Sequence, residues 1–318
     1  MVSSQLHYTK VNRFMPFLLA EILNFQGSIH RIGVGSFSYL LLSIIFSAFV
    51  SITMRLSDKH IQNNMTMFLS NYAVCILLAI LFGLRVNTSA FSEGVIFPIG
   101  MGLISGIMYL VNFILLQVNI NRNGIVLSTT FMKLGVIVPT IMAVVVFHET
   151  LTLTSIAGIC LALISVVIIN QNPNEVKNQN VSYQFSLLLI LLAAGGFTDS
   201  LANIYDKCGS ASLKDLYLLC TFLFAFLCSL IIKTYKKQRF TFADLRWGAL
   251  IGIPNYFSAR FLLLSLSQMP ATIVYPVYNI GTIVFVTITG MIFFKERLSL
   301  NKWIAMGIIF LALFLLSI

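Results

Sequence analysis

Charge is what this sequence has least of. Asp, Glu, Lys and Arg make up 9% of its 318 residues, against roughly 25% in soluble domains. Hydrophobic residues reach 58% and the mean hydropathy is +0.93. A soluble fold could not cover that much apolar surface, so lipid is the solvent for most of the chain. The charges present are unbalanced, giving a net +10. They sit mainly in loops, with no basic cluster interleaved with exposed aromatics, so they read as membrane anchoring and not as a nucleic-acid surface. Cysteine is sparse: Cys75, Cys160, Cys208, Cys220 and Cys228 show no CxxC spacing, which excludes a disulfide framework or zinc site of the usual pattern. The four histidines form no HExxH, and there is no GxSxG elbow, so the common hydrolase signatures are missing. No Gly-rich loop ends in Lys-Ser/Thr, so ATP is not hydrolysed by a Walker mechanism. No cofactor is expected, and the chain does not read as an enzyme.

What is present is repetition of apolar runs. Ten stretches are long enough to span a bilayer: 36–54, 64–82, 95–117, 124–147, 154–170, 185–205, 213–232, 245–266, 271–294 and 300–318. Phe147-His148-Glu149-Thr150-Leu151 precedes one run, and Phe294-Lys295-Glu296-Arg297-Leu298 precedes another 147 positions later. The same offset maps Tyr109 onto Tyr256 and Leu115-Leu116 onto Leu262-Leu263, and an offset one larger maps Asp58-Lys59 onto Asp206-Lys207. The expected organisation is an N-terminal extension over 1–35, lying at the interface, and two repeats over 36–170 and 185–318. A polar linker over 171–184, beginning Gln-Asn-Pro-Asn, separates them. The predicted fold is an all-α polytopic membrane protein with ten transmembrane helices. Five helices per repeat is an odd number, so the halves enter the membrane from opposite sides and are related by inverted topology. Loop charges place both termini outside.

This arrangement, with a Glu at the start of the last helix of each half, resembles the drug/metabolite transporter superfamily, and most nearly its EamA-like branch. Phe131-Met132-Lys133-Leu134-Gly135-Val136-Ile137-Val138-Pro139 through Phe147-His148-Glu149 looks like the junction between its fourth and fifth helices. Phe294-Lys295-Glu296-Arg297-Leu298 looks like the same junction in the second half. The resemblance implies a secondary transporter of amino acids, other metabolites or drugs, often an exporter. It also implies both termini in the cytoplasm, against the loop charges.

Charge inside a spanning helix costs roughly 2.5–3.5 kcal/mol per residue. Lys133, Asp199 and Arg260 fall well inside predicted helices and are candidates for a central substrate site. Lys133 and Arg260 suit a carboxylate or phosphate. Asp199 suits a substrate amine, a coupling proton, or pairing with one of the cations. The bland alternative is a structural ion pair between the halves. Thr129 stands one turn before Lys133, Tyr256 one turn before Arg260, and Tyr275 one turn before Asn279. Tyr109 and Asn112 share a face of the third helix. These six residues complete the candidate site, although any one of them could instead make an ordinary interhelical hydrogen bond. Glu149 and Glu296 read as helix-start carboxylates complementing the helix dipole. Gly102 and Gly106 have GxxxG spacing and read as a helix-packing motif. Pro139, Pro254 and Pro276 lie inside predicted helices, where proline favours a kink.

The resulting expectation is an ATP-independent transporter of a small organic solute, working by alternating access in a bacterial inner (plasma) membrane. Its partners are the lipid bilayer, the small-molecule substrate, a coupling proton or ion and, as an option, a second copy of the chain. An antiporter of phosphorylated or nucleotide-linked sugars is the alternative within transport. A membrane scaffold or a polytopic membrane enzyme is the alternative outside it.

Overall fold

Hydrocarbon offers no water to a backbone N–H or C=O, so a chain this apolar must satisfy those groups within helices or a closed barrel. The computed structural model takes the helical route. It describes residues 36–83, 94–139, 142, 153–170, 181–237, 239–269, 271–293 and 300–316. The chain divides into two compact units, Met1–Ser38 and Tyr39–Ile318, and the architecture that follows is that of the second. Ten α-helices occur among the described residues. They are α1 (Ser36–Ser57), α2 (Asn64–Gly83), α3 (Ile96–Asn123), α4 (Ile125–Leu134), α5 (Leu153–Asn170), α6 (Val181–Cys208), α7 (Lys214–Tyr235), α8 (Phe242–Leu266), α9 (Ala271–Phe293) and α10 (Leu300–Leu316). By length and composition, α1, α2, α3, α6, α7 and α8 contain stretches able to cross a membrane, while Ile125–Pro139, Val277–Phe293 and Trp303–Ala312 are shorter apolar helices. The chain is an all-α polytopic membrane protein. Glu149, Glu296 and the extension over 1–35 lie outside the described residues, as do positions 171–180 of the expected linker; its last four positions are already helical, in α6.

Glycine decides how the central helices meet. A Cβ built on Gly248 of α8 would lie 2.1 Å from the carbonyl oxygen of Met67 on α2, and one on Gly252 would lie 2.6 Å from that of Asn71. On α3, a Cβ at Gly102 would lie 2.5 Å from Cys220 Cβ, and one at Gly106 would lie 2.6 Å from the Thr221 carbonyl oxygen of α7. No real side chain fits such gaps, so these backbones touch directly, as small-residue motifs allow in membranes. The packing expected at Gly102 and Gly106 is therefore seen, and it recurs 146 positions later at Gly248 and Gly252. Around the α2–α8 and α3–α7 pairs, α2 also packs on α7, α4 packs on α6 and α9, and α5 packs on α10.

Polar side chains within the helices mostly close on their own backbone. Thr198, Ser200, Thr221, Ser229, Ser265 and Thr282 each donate to the carbonyl four residues earlier, which removes a donor that lipid cannot satisfy. Large apolar side chains such as Leu77, Leu81, Ile107, Ile190, Ile231 and Ile292 point outward and are exposed, as a bilayer requires. Between α3 and α4 the chain turns on one residue, Gly124, whose φ of 81° is a conformation that side chains disfavour. That tight joint seats α4 beside α3 and sets the height of Lys133.

Candidate functional site

Where α1, α3, α4, α6, α8 and α9 converge they leave a cavity of about 90 Å³. Ser47, Val50 and Ser51 line it from α1; Tyr109, Asn112, Phe113 and Leu116 from α3; Met132 and Lys133 from α4. Gly195, Thr198 and Asp199 come from α6, Asn255, Ser258, Ala259 and Leu262 from α8, and Tyr278 from α9. Of the nine residues expected at the site, the structure places Lys133, Asp199, Tyr109 and Asn112 on this wall.

Lys133 ends α4. Immediately after it the helix loosens: the amides of Gly135 and Val136 bond carbonyls three residues back, those of Met132 and Lys133, at 3.2 and 3.3 Å. A built Cβ on Gly135 would lie 2.5 Å from the Gly196 nitrogen of α6, so the two backbones meet there without side chains. Lys133 is 5% exposed, and its Nζ lies 3.8 Å from the centroid of the Tyr278 ring. A desolvated cation over an aromatic face gains about 2 kcal/mol, a sizeable part of what burying the ammonium costs. Among the described residues no carboxylate lies within 4.0 Å of Lys133. The Asp199 carboxylate likewise has no donor among the described residues. The two opposite charges therefore share the cavity wall without forming the closed ion pair considered from the sequence.

Tyr278 was not singled out from the sequence, and it joins four helices. Its hydroxyl donates to Ser47 Oγ of α1 at 2.9 Å and meets Ser258 Oγ of α8 at 3.4 Å, while its ring faces Lys133 of α4. Ser258 in turn donates to the Ser43 carbonyl at 3.2 Å. One turn before Ser258 on α8, Asn255 donates to Asn71 Oδ1 at 3.2 Å, and the buried Asn112 Oδ1 has no partner among the described residues. The cavity thus presents one cation, one anion and several neutral donors and acceptors.

The other five expected residues lie off this wall. Arg260 is one residue past Ala259, about 100° further round α8, and its Nη1 donates to the Tyr256 hydroxyl instead. Its charge acts on Asp215 at the start of α7. Tyr256 is buried among Phe222 and Phe257 rings. Tyr275 supports the site from behind, donating to the Asp199 carbonyl at 3.0 Å. Thr129 and Asn279 are fully buried, and the Thr129 hydroxyl and both Asn279 amide atoms have no partner among the described residues. No group of His, Cys, Asp and Glu suited to a metal ion occurs among the described residues.

Comparison with known proteins places the chain. It is 31% identical, over 201 residues, to an uncharacterised protein of Haemophilus influenzae, the match covering 62% of this chain and 67% of that one. The chain belongs to that protein's family. Residues 214–309, from the start of α7 into α10, match the family model described as Small Multidrug Resistance protein. That is a family of small multidrug transporters within the drug/metabolite transporter superfamily, the superfamily the sequence resembles. The match points to a membrane-embedded transporter and away from an enzyme. A solved crystal structure superposes with a TM-score of 0.60 at 12% identity, over 87% of this chain and 96% of that chain, which shows a shared fold.

Proposed function

We propose that the protein is a secondary transporter that carries a small organic solute with an anionic group across the plasma membrane. It works by alternating access between two inverted five-helix halves, 36–170 and 185–318. The observation that carries this reading is Lys133: a buried cation on a cavity wall, packed on an aromatic ring, with no carboxylate partner among the described residues. A charge kept inside the membrane at that cost, and left open, is suited to a ligand's carboxylate or phosphate. The repeated GxxxG contacts, α3 on α7 and α8 on α2, support the two-half reading because each half offers the same motif to the other. With no Walker loop, the energy comes from an ion, a proton or solute exchange. A cavity of about 90 Å³ with one lysine suits a small solute better than a nucleotide-linked sugar, whose charges call for several cationic contacts.

A second reading rests on the family-model match over 214–309 together with the open carboxylate of Asp199: export of a cationic compound. One experiment separates the two. The purified full chain is titrated with amino acids, organic acids, sugar phosphates and cationic drugs while thermal unfolding is followed, since a ligand stabilises the state it binds. Stabilisation by an anionic compound that Lys133→Met abolishes supports the first reading. Stabilisation by cationic drugs alone, abolished by Asp199→Asn, supports the second and overturns the first.

A further inference from the structure

At the end of α7 the sequence runs Lys233-Thr234-Tyr235-Lys236-Lys237-Gln238-Arg239-Phe240-Thr241-Phe242, with four cations and no carboxylate. From the sequence no basic cluster with exposed aromatics was expected; the structure corrects this. Tyr235 is 88% exposed, Phe242 80% and Phe240 59%, and Lys236, Lys237 and Arg239 are exposed beside them. Lys233 is buried, and its Nζ packs 3.0 Å from the centroid of the Phe240 ring. The next acid along the chain, Asp244, is fully buried and accepts the Gln62 amide at 2.8 Å.

The segment is held in place by its backbone. The Lys236 and Lys237 amides bond Ile232 and Thr234 carbonyls at 3.0 Å, and Lys237 turns the chain at φ 49°. The Arg239 carbonyl accepts Asn63 Nδ2 and Thr66 Oγ1, each at 3.4 Å. The main chain is thus tied to the start of α2 while the side chains are presented outward. Both flanking helices are long and apolar enough to cross the bilayer, which sets this joint at the level of the lipid headgroups. There aromatic rings lodge at the interface, and cations meet whatever negative charge the leaflet carries.

We propose that the α7–α8 joint is a binding surface for anionic phospholipid headgroups, with Lys236, Lys237 and Arg239 on the phosphates and Tyr235, Phe240 and Phe242 seated at the boundary between headgroups and acyl chains. The proposal is independent of the transport reading. The test adds phosphatidylglycerol or phosphatidylcholine to the detergent-purified full chain, follows thermal unfolding, and counts bound lipids by native mass spectrometry. Phosphatidylglycerol stabilises at a concentration at least tenfold lower than phosphatidylcholine. The triple variant Lys236→Gln, Lys237→Gln, Arg239→Gln raises that concentration roughly a hundredfold, three cations contributing about fivefold each, whereas Lys207→Gln in the last turn of α6 changes it less than twofold. Raising salt weakens the wild-type effect, a readout that requires no variant to fold. Equal response to the two lipids, an unchanged triple variant or an absence of salt dependence overturns the proposal. So does equal stabilisation by inorganic phosphate or by a single-stranded oligonucleotide.

Discussion

Replacing Gly248 with alanine adds one methyl group where α8 crosses α2. The new Cβ would sit 2.1 Å from the Met67 carbonyl oxygen and 2.7 Å from Ser70 Cβ, where ordinary contact begins at 3.4 Å. The shortfall against the carbonyl is about 1.3 Å, and a main-chain oxygen inside a helix cannot swing aside. The helices must separate, and a gap near 1 Å already forfeits up to about half of each dispersion contact along the seam. Overpacking of this kind costs about 1–3 kcal/mol. Gly100 supplies the control: it lies in α3 with nothing within 4 Å of a built Cβ. Alanine there gains about 0.5–1 kcal/mol from reduced backbone entropy in the unfolded chain. The two substitutions are chemically identical, act in opposite directions and should differ by about 1.5–4 kcal/mol. Denaturant titration in mixed micelles measures both. If Gly248→Ala is as stable as the parent, or Gly100→Ala loses as much, the direct backbone contact between α2 and α8 is not what holds them.

Tyr278→Phe keeps the ring under Lys133 and loses the bonds to Ser47 and Ser258, so unfolding should show a loss of about 0.5–1.5 kcal/mol. Tyr278→Leu also removes the aromatic face, for a further loss of about 2 kcal/mol, and on the proposed reading lowers affinity for an anionic solute in equilibrium binding. Asp199→Asn should tighten binding of an anionic solute and abolish that of a cationic one, read by the same ligand titration. Arg260→Gln, outside the cavity, should leave solute affinity within about twofold while Lys133→Met removes it; comparable losses in both would relocate the site toward Asp215 and Tyr256.

How the site could be read from the sequence follows from what each signal measures. An ionisable residue in an apolar run announces that it must avoid lipid, and that rule singled out Lys133 and Asp199, which line the cavity. The same rule selected Arg260 without saying which interior face it would join. On α8 the cavity takes Asn255, Ser258, Ala259 and Leu262, a stripe at helical spacing that excludes the next residue. Tyr278 stood between Tyr275 and Asn279, and one-turn pairing favoured those two; only packing shows that the ring between them reaches Lys133. Ser47 with Ser51, and Asn255 with Ser258, had the right spacing but carried no charge to draw notice. The fold was more legible, because runs of about 20 apolar residues leave few alternatives to helices. The Gly248–Gly252 pair was missed although Gly102–Gly106 was read, since its offset of 146 differs by one from the offset used to align the halves.

The meeting of Gly135 and Gly196 has a consequence for how this family can vary. Each glycine's missing side chain is occupied by the other's backbone: a Cβ on Gly196 would lie 2.1 Å from the Gly135 oxygen. Shrinking one partner cannot accommodate growth in the other, because neither has anything left to lose. Most tight contacts leave correlated substitutions between relatives, from which neighbours can be inferred. Two such positions are expected to stay glycine together, so the close approach of Gly135 to α6 is one that covariation between relatives would not reveal.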